Sequence, residues 1–313
     1  MQQQATDFRY CLYGLKVASQ LECPQLSFDA EGGEPDVRIE LGEVPTTLGP
    51  GHGKGFKFEA TPSELLIKTP GIGYQLITGG NRIRVQPRPD RPPEDIRMVL
   101  LGWSMGALLH QRGIVPLHAG VVAKGGGAIA FCADGGTGKS TLVAALVERG
   151  FRILDDNIAA LDFSGGEPVV RPGCPEVKLF DDSVAWCHSA KKHEGPSWAC
   201  GPKRGLFLEG HFEPSQQPLR AIVVMTAGPE PGVRFGRLTA SEAFQEITKH
   251  VFCRRFLGAM GSSDRHFRRM VDLSNRVPAF SMDLGTPKPH PEALCDQISA
   301  TLEALIAKVP LPE

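Results

Sequence analysis

Between residues 133 and 141 the chain reads ADGGTGKST, a run of small residues ending in a lysine and two hydroxyls. Gly135, Gly136 and Gly138 let the backbone curl so that successive N–H groups face inward, and Lys139 follows where a helix begins. Such a loop wraps phosphate oxygens in amides, and the helix N-terminus adds partial positive charge. The expected nucleotide contacts are Asp134, Gly135, Gly136, Thr137, Gly138, Lys139, Ser140 and Thr141. Lys139 would bridge the β- and γ-phosphates, and the Ser140 hydroxyl would face Mg²⁺. Ala133 stands where the pattern has glycine; its methyl fits if φ there is negative. The bland alternative is a glycine-rich turn whose lysine is merely solvated.

Two further groups belong with the loop. Asp155 and Asp156 close the strand FRIL, and ligands of α/β sheets sit at strand C-termini. One carboxylate would hold Mg²⁺ and the other would orient or deprotonate an attacking hydroxyl, with a turn cap as the alternative for either. His118, in PLHAG, lies on the strand before the phosphate-loop strand, and a hairpin closed by KGGG would bring it beside the loop. A histidine in an apolar strand is otherwise a core residue.

The elements that must carry these groups show in the hydrophobic pattern. Up to about residue 88 apolar residues alternate with a period of two, as in Val37, Ile39 and Leu41, between Gly/Pro clusters. A β-rich domain over 1–90 is expected, followed by a proline-rich linker, VQPRPDRPPED. A helix over 94–112 would then open an α/β domain spanning 91–313. Within it come the strand AIAFCA, the loop, and a helix buried through Leu142, Val143, Leu146 and Val147. The strand FRIL, a buried strand AIVVM, a helix SEAFQEITKHVF and a C-terminal helix with Leu294, Ile298, Leu302 and Ile306 in line complete the pattern.

Composition narrows the classes. The 313 residues carry 34 Lys and Arg against 35 Asp and Glu, a net charge of -1, which argues against nucleic acid or an anionic membrane as partner. The eight cysteines form no CxxC pair, as in a reducing compartment; Cys187, His188, His193 and Cys200 match no familiar zinc spacing. The start MQQQATDFRY has no signal-like region and no run of 18 apolar residues occurs, so a cytoplasmic protein is expected.

LHAGVV, a phosphate loop and then VERGFRILDD together resemble the catalytic core of HPr kinase/phosphorylase. Those proteins have His-Gly on the strand, a G-D-S-G-x-G-K-S loop and R-x-L-x-x-D-D after the helix. The resemblance implies a P-loop-containing α/β kinase domain behind a smaller β-rich domain. It also implies Mg²⁺ and ATP as cofactors, and site roles for His118, Lys139, Ser140, Asp155 and Asp156. The signature E-[IV]-R-G-x-G appears only as Glu176-Val177-Lys178-Leu179, without its glycines, which counts against the phosphorylase activity. Glu176 reads as a surface glutamate before it reads as a Mg²⁺ ligand. Over its full length the chain is more similar to HPr-kinase-related kinases found with ribosomally made peptides, especially lasso peptides. The opening YCLYGLKVASQLECPQL and the stretch Pro172 to Leu179 carry that similarity.

The implied function is a serine kinase acting on a peptide or small protein, with the C-terminal serine of a lasso-type precursor as favoured acceptor. The alternatives are a bifunctional HPr kinase/phosphorylase and a nucleotide-gated peptide-binding module that is not a kinase. The family's hexamers raise a homo-oligomer as an expectation that no residue here fixes. A polar loop over 181–205, with Trp186, Trp198, Lys191, Lys192, Lys203 and Arg204, suits a mobile lid. Arg254, Arg255, Arg265, Arg268 and Arg269 would form either a clamp on a phosphate or on the carboxylate end of a peptide or, preferably, a solvated face.

Overall fold

The computed structural model describes residues 7–49, 53–55, 57–184, 187, 191–192 and 203–308. The chain forms two units, one gathering Met1–Pro116 with Cys253–Phe267, the other Leu117–Ser197, Gly201–Phe252 and Arg268–Glu313. No helix among the described residues is long and apolar enough to cross a membrane.

The first unit is built on a nine-stranded sheet running from Phe8–Leu12 to Arg82–Pro87 in sequence. Of the alternating residues, Val37 and Ile39 are buried with Arg38 half-exposed between them, whereas Leu41 at the end of the strand is exposed. The helical stretch Pro93–Gln111, with a π-turn at Leu100–Ser104, belongs to this unit. Ser104 Oγ donates to Gln75 Oε1 at 2.5 Å, and Gln111 Oε1 accepts from the Gly80 amide at 2.8 Å. The boundary expected at 90/91 therefore falls after Pro116. Proline richness marks only the turn from the last strand into a helix that docks on the same sheet. Phe256 returns to this unit from far along the chain, its ring edge-on to Phe58 with centroids 4.8 Å apart.

The second unit holds the expected α/β core. Strands β1 (Ala119–Lys124) and β2 (Gly127–Ala133) form an antiparallel hairpin closed at the KGGG turn. Helix α1 (Lys139–Glu148) follows the glycine-rich loop, then β3 (Arg152–Asp155). Strand β4 (Gln217–Thr226) runs parallel to β2, and β5 (Ala279–Asp283) parallel to β4. Helix α2 (Pro291–Ala307) buries Leu294, Ile298 and Leu302 in one cluster with Leu142 and Leu146 of α1 and Phe131 of β2. Fully burying such side chains is worth about 1.5–3 kcal/mol each, which is what holds α1, and the loop before it, against the sheet.

The strand order decides which groups can meet. The strand bearing the acids does not neighbour the phosphate-loop strand: β1 lies between them, antiparallel to both. Ala119 pairs with Cys132 of β2, and Val121 with Asp155 of β3. The start of β1 and the ends of β2 and β3 thus share one edge of the sheet, which is where His118, the loop and the acids must meet. A separate small sheet pairs Glu176–Phe180 with Lys203–Phe207.

Candidate nucleotide site

The loop after β2 has the backbone that its glycines predict. Gly136 and Gly138 adopt φ of +83° and +113°, a region open to glycine at little cost. A Cβ built on Gly135, Gly136 or Gly138 would meet nothing within 4 Å, so the space over the loop is open. Helix α1 starts at Gly138 with no side-chain cap. Its first-turn amides have no intrahelical acceptor, and they suit an anion. Asp134, Gly135 and Gly136 are exposed, Ser140 and Thr141 half-buried, and Thr137 buried.

Lys139 does not extend over the loop. Its side chain is buried, with Nζ donating to the Asp156 carbonyl at 2.9 Å and lying 3.5 Å from Asp156 Oδ1. What permits this is Gly120 of β1, two residues beyond His118. A methyl group there would sit 2.6 Å from Val143 Cγ2 and 2.9 Å from Asp156 Oδ1. Gly120→Ala is expected to cost about 1–3 kcal/mol as an overpacked core site and to push Asp156 off Lys139. A thermal melt paired with ATP titration checks this; a variant matching the parent in both would contradict it.

Asp155 is turned elsewhere. Its Oδ1 accepts from the Asn157 and Ile158 amides at 2.6 and 2.7 Å, and Oδ2 from the Cys174 amide at 3.1 Å. Burial pushes this carboxyl up to about 6, against the pull of the three amides. The two acids therefore do not converge on one point: Asp156 faces Lys139, while Asp155 ties the end of β3 to the Cys174 loop.

His118 stands half-buried beside the pair. Its amide donates to the His250 carbonyl at 2.7 Å, and its Nδ1 lies 3.2 Å from the Asn157 carbonyl. If Nδ1 carries the proton for that bond, Nε2 is the accepting nitrogen. Burial and the charge of Lys139 depress His118 to about 4, so the imidazole is neutral at neutral pH.

No family model matches the chain, and no curated protein matches it. Among solved structures, the HPr(Ser) kinase/phosphatase from Coxiella burnetii is similar at a TM-score of 0.31 and 12% identity, over 62% of this chain and 95% of that one. A likeness that small leaves the site to be judged on its own residues.

Two of those residues were invisible in the sequence. His250 follows the helix Ala240–Lys249 beside the isolated bridge of Leu117 to Val251. Burial lowers its proton affinity, and the charges of Asp134 and Lys139 both reach it. Lys288, in the turn between β5 and α2, donates from Nζ to the Gly136 carbonyl at 2.7 Å. No motif spacing announces either.

The remaining candidates separate. The Glu176 side chain is 8% exposed and lies 4.0 Å from Lys178 Nζ, so it is not a surface glutamate. Arg255 stacks on Trp103 at 4.4 Å and Arg265 donates to the His110 carbonyl at 3.1 Å, both in the first unit. Arg269 covers the Phe163 ring in the second, so these three arginines have different partners. Over 181–205, Asp181–Val184 is a short helix whose Asp181 pairs with Arg204 at 2.5 Å, and Lys203 lies over the Phe180 ring. Trp186 and Trp198 lie outside the described residues, as do His188, His193 and Cys200. No cluster of three or more His, Cys, Asp or Glu among the described residues could hold a metal ion by itself.

Proposed function

We propose that this chain is a Mg²⁺-ATP-dependent serine kinase acting on a peptide or small protein, with the C-terminal serine of a lasso-type precursor peptide as the favoured acceptor. The observation that supports it most is the buried Lys139–Asp156 pair beneath an uncapped, open glycine loop. The donor set suits a nucleotide: free first-turn amides, a lysine, a hydroxyl at Ser140 and one carboxylate facing them. Ser140 and Asp156 would hold Mg²⁺, which supplies charge neutralisation on the phosphates.

The loop amides and Lys139 hold the triphosphate, and Asp156 orients the acceptor hydroxyl in line. The hydroxyl oxygen bonds to the γ-phosphorus as the bond to the ADP oxygen breaks, and the proton passes to Asp156. Asp155 fixes the strand end that carries Asp156. Neutral His118 adds a nitrogen lone pair at the same edge.

A second reading gains from the same geometry. Engagement of Asp155 by three amides leaves Asp156 as the one member of the pair beside Lys139, which is all that a nucleotide-gated binding module needs. Intact-mass measurement of serine-containing peptides after incubation with Mg²⁺-ATP separates the two. A gain of one phosphate supports the kinase; unchanged peptides with ADP accumulating would replace it by the module.

A further inference from the structure

We propose that Lys288 is a second phosphate-binding lysine that contacts the terminal phosphates of a nucleotide in the 134–141 loop; this rests on the nucleotide reading above. Its Nζ already reaches the loop, donating to the Gly136 carbonyl at 2.7 Å. One bond uses one of three N–H donors, and the side chain is exposed, so two donors are available to phosphate oxygens at the rim of the open space.

The backbone that presents Lys288 is fixed in advance. Asp283, at the end of β5, accepts from the Gly228 and Gly285 amides at 2.6 and 3.0 Å and pairs with Arg234 at 2.7 Å. Thr286 Oγ1 donates to the Gly228 carbonyl at 2.8 Å, and the Leu284 amide to Thr226 at 2.9 Å. Pro287 and Pro289 flank the lysine and restrict the backbone on both sides. A long side chain on so constrained a turn loses less entropy when it captures an anion.

The site also needs the charge. Asp134 and Asp156 bring two carboxylates to the loop, and Lys139 is already paired with one of them. A triphosphate entering there meets these carboxylates as well as Lys139, and Lys288 adds a positive charge at the same rim.

The test is calorimetric titration of the full chain with ATP, ADP and AMP, using Lys288→Met, which keeps the aliphatic stem, and Lys288→Arg, which keeps the charge. Lys288→Met is expected to weaken ATP binding about tenfold or more, ADP less, and AMP not at all, as for loss of one charge-assisted contact. Its ATP affinity should also depend less on salt, and Lys288→Arg should bind close to the parent. ATP binding by Lys288→Met at parental strength would overturn the inference. So would an equal loss for AMP, ADP and ATP, which marks support of the loop instead of phosphate contact. Failure of the parent itself to bind ATP would remove the nucleotide reading and this inference with it.

Discussion

Asp156→Asn is expected to lower phosphoryl transfer by about 10²–10⁴-fold, the usual worth of a positioned base, while the chain stays folded. Asparagine keeps the shape of the side chain, and its Oδ1 can still accept from Lys139 Nζ, which lies 3.5 Å from Asp156 Oδ1 in the parent. What it loses is the negative charge that would accept the proton and hold Mg²⁺. Lys139→Ala is a different experiment, because it strips the counter-charge from a carboxylate that is only 4% exposed. Breaking a buried pair in that way costs about 3–5 kcal/mol, so this variant should lose stability together with activity. Single-turnover transfer and a melting curve, measured on both, separate chemistry from folding. Parental transfer rates in folded Asp156→Asn would remove Asp156 from the reaction.

Asp155→Ala should do its damage to the fold. It leaves the amides of Asn157, Ile158 and Cys174 without their acceptor in a buried setting. At about 1–3 kcal/mol for each stranded donor, the loss is comparable with the whole stability of a typical domain, about 5–15 kcal/mol. Asp155→Asn should fall between, since its Oδ1 can still serve Asn157 and Ile158 while its amide group confronts the Cys174 N–H. Denaturant titration should therefore rank parent, Asn and Ala in descending order. An Asp155→Ala protein with parental stability and no transfer would instead place Asp155 at the acceptor.

The different fates of two adjacent aspartates show where the sequence stops being informative. The glycine-rich turn before α1 is legible because its residues are contiguous and its geometry is local. The hairpin that delivers His118 is legible for the same reason, through KGGG. Asp155 and Asp156 are chemically identical in a sequence, but at a strand end successive side chains leave on opposite sides. One therefore meets amides and the other meets Lys139. Gly120 reads as an ordinary strand glycine until α1 packs across it, and Lys288 lies 152 residues from the carbonyl it touches. The domain boundary failed for a related reason: Ser104 to Gln75 and Gly80 to Gln111 are long-range polar contacts that leave no periodicity. Proline density registers where a chain turns, and not which core it returns to.

Phe256 has a consequence for how the protein is made. It is fully buried against Phe58, yet the stretch from Leu117 to Phe252 separates its segment from the rest of its unit. While the ribosome is still translating that stretch, the emerging amino-terminal half has a vacant greasy seat beside Phe58. A shortened gene stopping after Pro116 would leave that seat permanently unfilled, so the first unit completes itself only when most of the polypeptide has left the tunnel.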